Sequence, residues 1–84
     1  MLVPDYIDLH RLTSEEALLE LDQYLNDAYL AGLFRITIIH GKGSGTLSDA
    51  VRRYLAKHIL VNSYRPGGYG EGDEEVTVVG LSIH

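Results

Sequence analysis

The chain has 84 residues, which suffices for one domain with a single modest core. With 45% hydrophobic and 23% charged residues, it has the composition of a soluble globular protein rather than a disordered one. It contains no cysteine, so disulfide and thiolate chemistry are excluded, and its longest apolar runs are too short to span a bilayer. Because the amino-terminal residues also lack a signal-peptide pattern, we expect a cytoplasmic protein with no membrane partner.

The formal net charge of −5 is distributed unevenly along the chain. Residues 1–31 carry seven acidic side chains and one basic one, and residues 67–84 carry four acidic ones. The stretch between them, residues 32–66, carries six basic side chains and one acidic one. Such a basic block predicts a positive face suited to nucleic acid on an acidic domain, although a solvated helix face would show the same pattern.

The first two elements are a short strand and an amphipathic helix. Residues 6–10 alternate loosely between apolar and polar side chains and predict a strand. Thr13 and Glu16 have the spacing of a capping box, which predicts a helix that begins there. A leucine-rich stripe continues to Gly32, which is typical of the glycine that follows a helix end.

Three further strands and a second helix are predicted in the remainder. Residues 35–39 form a β-branched strand, and a one-sided apolar stripe predicts a helix that begins at Thr46 or Leu47. A third strand is expected around residues 62–65 and a fourth, the most continuously apolar, over residues 75–81. Glycine-rich residues between these two strands predict a loop.

This β-α-β-α-β-β order predicts the α/β class, as a two-layer α+β sandwich. Right-handed crossovers make the first three strands parallel, and the short last connection permits an antiparallel fourth strand. That strand is expected inside the sheet because it is the most apolar. Each helix has one apolar stripe, so both are expected on one face of the sheet.

A glycine-rich turn joins the second strand to the second helix. Its glycines permit a sharp turn and a close approach of a ligand to the backbone, and the helix that follows presents free N–H groups and its positive dipole end. Such a site suits a phosphate. The spacing is not that of a Walker A motif, so ATP hydrolysis is not expected. The candidate phosphate ligands in the turn are His40, Gly41, Lys42, Gly43, Ser44 and Gly45.

Polar side chains follow each of the three parallel strands. His10 ends the first strand, His40 the second and Arg65 the third, and the carboxyl ends of parallel strands share one edge, where ligands bind in open α/β sheets. We therefore expect these residues to meet in one crevice, although ordinary surface charge and hydrogen-bonded strand ends are the simpler interpretation. The other residues expected there are Asp8, Arg11 and Lys42.

These residue types suit phosphodiester chemistry. Histidine acts as a general acid or base near neutral pH, and Asp8 has the position to orient His10, hold a metal ion or activate water. A local hydrogen bond is the alternative role for Asp8. Tyr69, in the closing glycine loop, has the position to stack on a base. No cluster has zinc-ligand spacing.

Three segments together resemble the small MutS-related (Smr) domain. Residues 7–10 (Ile-Asp-Leu-His) are similar to its LDLH motif, and residues 39–45 contain the sequence of its HGKG motif. Residues 66–70 and 76–79 resemble its closing glycine loop and strand. The first helix and an inserted Glu-Gly-Asp look most like the C-terminal domain of MutS-two proteins, the MutS paralogues not used in mismatch repair.

The resemblance implies the fold of the C-terminal domain of translation initiation factor three. In that fold two helices cover a mixed four-stranded sheet whose last strand lies antiparallel between the second and third. Residues 1–84 would be one Smr-like domain, the C-terminal piece of a longer chain. The domain itself would be monomeric and the parent chain dimeric.

The resemblance also implies nucleic-acid binding with nicking endonuclease activity on DNA or RNA. MutS-two proteins are linked to suppression of homologous recombination and to rescue of stalled ribosomes, so branched DNA, RNA and the ribosome are the expected partners. Asp8 and His10 would be the catalytic pair, and residues 40–43 would form a phosphate or substrate site. Judged by residue chemistry alone, His40 is a further catalytic candidate, as the alternative to His10 for accepting a proton, and Mg²⁺ or Mn²⁺ is the expected metal of cleavage. Arg11 departs from the family's usual glycine and would add a phosphate contact.

Two other functions fit the same residues. One is a binding module for branched DNA, RNA or a ribosome without catalysis, which the low number of carboxylates near the site favours. The other is a protein-binding appendage that uses the first helix as its contact face.

Overall fold

The computed structural model describes residues 2–43 and 45–82 and contains the expected order of elements. Between the third and fourth strands, residues Asp73–Glu75 form one turn of 3-10 helix. The elements are β1 (Tyr6–Asp8), α1 (Ser14–Leu30), β2 (Arg35–Ile39), α2 (Thr46–Lys57), β3 (Val61–Pro66) and β4 (Val76–Leu81).

The four strands form one sheet in the order β1-β2-β4-β3. β1 pairs parallel to β2, whereas β4 pairs antiparallel to both β2 and β3. The strands β1, β2 and β3 therefore run in the same direction, and their carboxyl ends lie at one edge. The predicted fold is confirmed, including the position of β4 between β2 and β3.

The boundaries of α1 follow from local hydrogen bonds. The Thr13 hydroxyl accepts from the Glu16 amide at 3.2 Å, and the Glu16 carboxylate accepts from the Thr13 amide at 3.1 Å, which completes the predicted capping box. The helix ends before Gly32, which has a φ of +83° and donates its amide to the Tyr29 carbonyl.

One hydrophobic core lies between the helices and the inner face of the sheet. The register places Ile36 opposite Val79 and Ile38 opposite Thr77 on this face. The opposite side, which we call the outer face, carries Arg35, Thr37 and Ile39 of β2, because side chains alternate along a strand. The main core residues that the helices contribute are Ala17, Leu21, Leu25, Ala28, Val51 and Leu55.

Three strands differ slightly from the prediction, and β3 is longer by one residue at each end, from Val61 to Pro66. β1 ends at Asp8 rather than at residue 10, because the chain turns at Leu9, whose carbonyl accepts from the Leu12 amide. β4 begins at Val76 rather than at Glu75, because the preceding residues form the 3-10 turn.

Candidate functional site

A groove of about 480 Å³ lies at the edge where β1 and β2 end. Its walls come from the turn after β1, the start of α1, the glycine turn and the first turn of α2. We call it the edge groove. Its polar lining includes His10, Thr13, His40, Lys42, Ser48 and Glu75.

The glycine turn has the backbone that its sequence predicts. Gly41, Gly43 and Gly45 all have positive φ, at +78°, +34° and +86°, a region that other residues rarely adopt. Gly45 is the N-cap of α2 and offers no side chain to the helix amides. The positive end of the α2 dipole therefore borders the edge groove.

His40 connects the glycine turn to the sheet. Its side chain is only 4% exposed, and its Nε2 lies 2.8 Å from the Thr77 hydroxyl. Its Nδ1 lies 3.0 Å from the Gly41 carbonyl, which can only accept, so Nδ1 carries the hydrogen and Nε2 of the neutral ring accepts from Thr77. The Glu75 carbonyl accepts from the amides of both His40 and Gly41 at 3.0 Å. His40 thus positions the turn, with both ring nitrogens already bonded.

Replacing Thr77 by valine tests this connection. Valine has the same shape but no hydroxyl, so His40 Nε2 would remain buried without a partner, and we expect the free energy of unfolding to fall by about 1–3 kcal/mol in urea denaturation. Thr37→Val is the matched control, because Thr37 lies on the outer face of β2, and its effect is expected within about 0.5 kcal/mol. Equal losses in the two variants would contradict the proposed connection.

Asp8 orients the ring of His10 at the mouth of the groove. Asp8 Oδ1 accepts from the His10 amide at 3.0 Å and makes a short contact with His10 Nδ1. Arg11 Nε donates to His10 Nε2 at 3.3 Å. With Nδ1 donating to the carboxylate, Nε2 keeps its lone pair, and the hydrogen bonds from His10 lower the pKa of Asp8. The arrangement is a partly exposed base held by an ionised carboxylate.

The turn after β1, which contains His10, is in contact with the glycine turn. A Cβ placed on Gly41 would lie 3.3 Å from the Cβ of His10, so glycine allows the two turns to approach closely. The structure therefore brings Asp8, His10, His40 and Lys42 to one side of the molecule, as the sequence predicts.

Residues 7–82, nearly the whole chain, match the family model of the Smr domain. The chain belongs to the Smr domain family. It is 53% identical over 75 residues to Endonuclease MutS2 of Caldicellulosiruptor saccharolyticus and 54% identical over 76 residues to that of Pelotomaculum thermopropionicum. These alignments cover 89% and 90% of this chain but only 10% of each relative, so the chain spans about a tenth of their length.

Solved structures agree with this family. The Smr domain of Thermus thermophilus MutS2 superimposes with a TM-score of 0.91 at 43% identity, over 94% of this chain and 99% of that one. YdaL, a stand-alone small MutS-related protein from Escherichia coli, gives a TM-score of 0.86 at 25% identity, over 92% of this chain and 63% of that one. In the described part of this Smr domain, neither helix has the length and apolar character needed to cross a membrane.

Arg65 does not join the edge groove of this Smr domain. It lies at the end of β3 but opposite Val78 in the register, so its side chain is on the outer face. Its Nη1 and Nη2 donate to the two carboxylate oxygens of Glu71 at 2.7 and 2.9 Å. Hydrogen bonds from Arg65 and from the Gly68 amide lower the pKa of Glu71 to about 2. Tyr69 is fully exposed on the closing loop, away from the lining of the groove.

Arg52 is a basic residue beside the site that the sequence did not single out. It lines a cleft of about 280 Å³ that continues from Lys42 along α2, with Ser48 and Glu74. Its Nε is buried and has no hydrogen-bond partner among residues 2–43 and 45–82. The signals for it were its membership of the basic block of residues 32–66 and its position one turn after Ser48, off the apolar stripe. The last candidate, Ser44, lies outside the described residues.

The residues beside the groove fit a metal ion that is coordinated partly by protein and partly by the phosphates of a bound substrate. Within residues 2–43 and 45–82, no three His, Cys, Asp or Glu side chains converge as a metal cage. Mg²⁺ is commonly held by one or two carboxylates together with water and substrate phosphates, and Asp8 supplies one carboxylate beside the groove.

Proposed function

We propose that this Smr domain binds the sugar-phosphate backbone of nucleic acid in the edge groove and nicks it. The observation that carries the proposal is the position of the Asp8–His10 pair beside Lys42 and the start of α2. Phosphodiester hydrolysis needs positive groups at the phosphate and an acceptor for the proton of the attacking oxygen. The edge groove offers both.

The phosphate would lie at the glycine turn. Lys42 and Arg52 supply charge, and the first turn of α2 supplies N–H groups and its dipole. The hydrogen bond between His40 and Thr77 would fix the conformation of the glycine turn, and neither residue would contact the reacting atoms.

The proton would pass to His10. Asp8 holds the ring through Nδ1, and the carboxylate stabilises the imidazolium that forms when Nε2 accepts a proton from the attacking water. As the water oxygen bonds to phosphorus, the bond from phosphorus to the leaving sugar oxygen breaks, and that oxygen takes a proton from solvent. Arg11, which contacts Nε2, would move to the phosphate when substrate binds. A divalent ion, Mg²⁺ or Mn²⁺, would be held by Asp8 and would supply Lewis-acid stabilisation of the phosphate.

The wider role follows from relatives that are named Endonuclease MutS2. We propose that this domain acts within a MutS2 protein, dimeric and cytoplasmic, on branched DNA or on RNA of stalled ribosomes. Suppression of homologous recombination and ribosome rescue are the two processes in which such a nicking domain would serve.

Lys42→Ala tests phosphate binding in the edge groove. We expect the affinity for duplex DNA to fall about tenfold, and the slope of log K against log salt to decrease by about 0.9, because one phosphate contact is lost. Lys57→Ala is the matched control, since Lys57 ends α2 away from the groove. Fluorescence anisotropy at several salt concentrations measures both. Equal effects of the two substitutions would contradict binding at the glycine turn.

Binding without cleavage is the second candidate. The lack of a converging group of three possible metal ligands among the described residues favours it, because metal-dependent nucleases usually present several carboxylates. If every preparation binds DNA and RNA in a Lys42-dependent way and none cleaves either with Mg²⁺ or Mn²⁺, this second function replaces nicking.

A further inference from the structure

The outer face of the sheet contains a second basic groove, separate from the edge groove. Its volume is about 300 Å³. The register aligns Arg35, Gly80 and Ser63 in one row across β2, β4 and β3, and Thr37, Val78 and Arg65 in the next. We call it the outer groove. Its lining includes Phe34, Arg35, Ser63, Arg65, Val78 and Gly80.

Gly80 keeps the outer groove open between its two arginines. A Cβ on Gly80 would lie 2.7 Å from the Ser63 hydroxyl oxygen, closer than real Cβ contacts. Any side chain at this position would fill the space between Arg35 and Ser63. The floor is therefore shaped by backbone and by Val78, whose side chain is buried although it lies on the face opposite the helices.

Phe34 gives the outer groove an aromatic wall. Its ring is 73% exposed, beside Arg35 at the start of β2. An exposed aromatic ring next to cationic side chains is the combination with which proteins bind single-stranded nucleic acid, since bases stack on the ring and phosphates pair with the cations. Tyr64, between Ser63 and Arg65 on β3, lies opposite Val79, so its side chain is on the inner face and does not add to this wall.

Arg65 already holds an anion in the geometry of a phosphate complex. Two guanidinium nitrogens meet the two Glu71 carboxylate oxygens in parallel, the fork arrangement that arginine also uses for phosphate. The Arg65–Glu71 pair is solvent-exposed, so screening by water makes it weak and replaceable. The charge of Arg35 also helps to lower the pKa of Glu71, and the Arg35 side chain makes no hydrogen bond among the described residues.

We propose that the outer groove binds a single-stranded segment of nucleic acid, with a base on Phe34 and phosphates on Arg35 and Arg65. A phosphate displaces the Glu71 carboxylate from Arg65, so Glu71 is an internal competitor that weakens binding. The inference rests on the proposed nucleic-acid function. It adds that the substrate is a nucleic acid with a single-stranded segment near the site of nicking. β1 and β3 are three strand spacings apart, roughly 14 Å, so one strand can reach both His10 and Arg65.

Binding of a fluorescein-labelled 15-nucleotide oligo(dT) by the 84-residue domain tests the proposal. Phe34→Ala is expected to weaken binding at least about fivefold, because stacking on one base is lost. Arg35→Ala is expected to weaken it several-fold and to reduce the salt slope by about 0.7, the value for one phosphate of a single strand. Glu71→Gln is expected to tighten binding several-fold, because Arg65 loses its charged competitor.

Two matched controls separate the groove from general effects of charge and hydrophobicity. Arg53→Ala removes the same charge from the exposed side of α2, and Leu30→Ala removes an equally exposed apolar side chain at the end of α1. Both should change the affinity less than twofold. Circular dichroism checks that each variant is folded.

The outcomes distinguish this inference from the proposed function. If Phe34→Ala and Arg35→Ala bind oligo(dT) like their controls, or Glu71→Gln does not tighten binding, the outer groove is overturned, whereas a loss of duplex binding in Lys42→Ala would still support the edge groove. If wild type binds duplex but not oligo(dT), only the outer groove is overturned. Failure to bind either probe overturns both.

Discussion

The Asp8→Asn variant is expected to nick plasmid DNA about 10²- to 10⁴-fold more slowly than the wild type, with Mg²⁺ or with Mn²⁺. Asparagine keeps the size of the side chain but lacks the charge that stabilises a protonated His10. Its amide can also donate to Nδ1, which would turn the imidazole to the wrong tautomer. Because Asp8 is at the surface, the fold should be unchanged. Conversion of supercoiled to open-circular plasmid measures the rate.

A second aspartate–histidine pair in the same chain provides the control. Asp22 on α1 accepts from His58 Nε2 at 3.3 Å and from the Tyr54 hydroxyl. Tyr54 is on α2 and His58 follows its last residue, and none of the three lines the edge groove. Asp22→Asn makes the same chemical change and should leave nicking within about twofold of wild type. Nicking that survives in Asp8→Asn, or that is lost equally in both variants, would remove Asp8 from the mechanism.

The Leu21→Ala variant is expected to lose about 2–5 kcal/mol of the free energy of unfolding. Leu21 is fully buried on α1 in the core shared by both helices and the sheet, so truncation leaves a cavity that its neighbours fill only in part. For a domain of this size, such a loss lowers the melting temperature by roughly 10 °C or more. Urea denaturation followed by circular dichroism gives the free energy.

Leu19→Ala makes the identical substitution two residues earlier on the same helix. Leu19 is 76% exposed, so the change alters helix propensity equally but leaves no cavity. Its effect should stay within about 0.5 kcal/mol. If the two variants lost equal stability, burial of Leu21 would not be the source of the effect.

Features that depend on neighbouring residues in the sequence were predictable. The Thr13–Glu16 capping box and the glycine after α1 satisfy backbone groups at the two ends of the helix through residues nearby in the sequence. Both are present in the structure. The β-branched run of β2 and the stripe of α2 also predict their elements within a residue. The inserted position of β4 came from the family resemblance, because apolar character indicates an internal strand but not which neighbours it has.

The direction of individual side chains at the site was less predictable. The sequence correctly places Arg65 near the end of β3, but the strand register puts its side chain on the outer face. Its partner Glu71 lies in the loop that follows, and no local pattern in that loop predicts the ion pair. His40 was expected to be available for catalysis, whereas its ring is buried against Thr77, which is distant in the chain. Both outcomes depend on strand pairing between segments far apart, which local patterns do not encode.

The place of β4 also has a consequence for how the domain is made. During translation β1, β2 and β3 are synthesised before β4. β2 and β3 do not pair with each other, and both form their backbone hydrogen bonds with β4. A nascent chain that stops short of this last strand leaves Ile36 and Ile38 without their cross-strand neighbours and open to aggregation. The domain would thus complete both proposed grooves only once β4 has emerged from the ribosome.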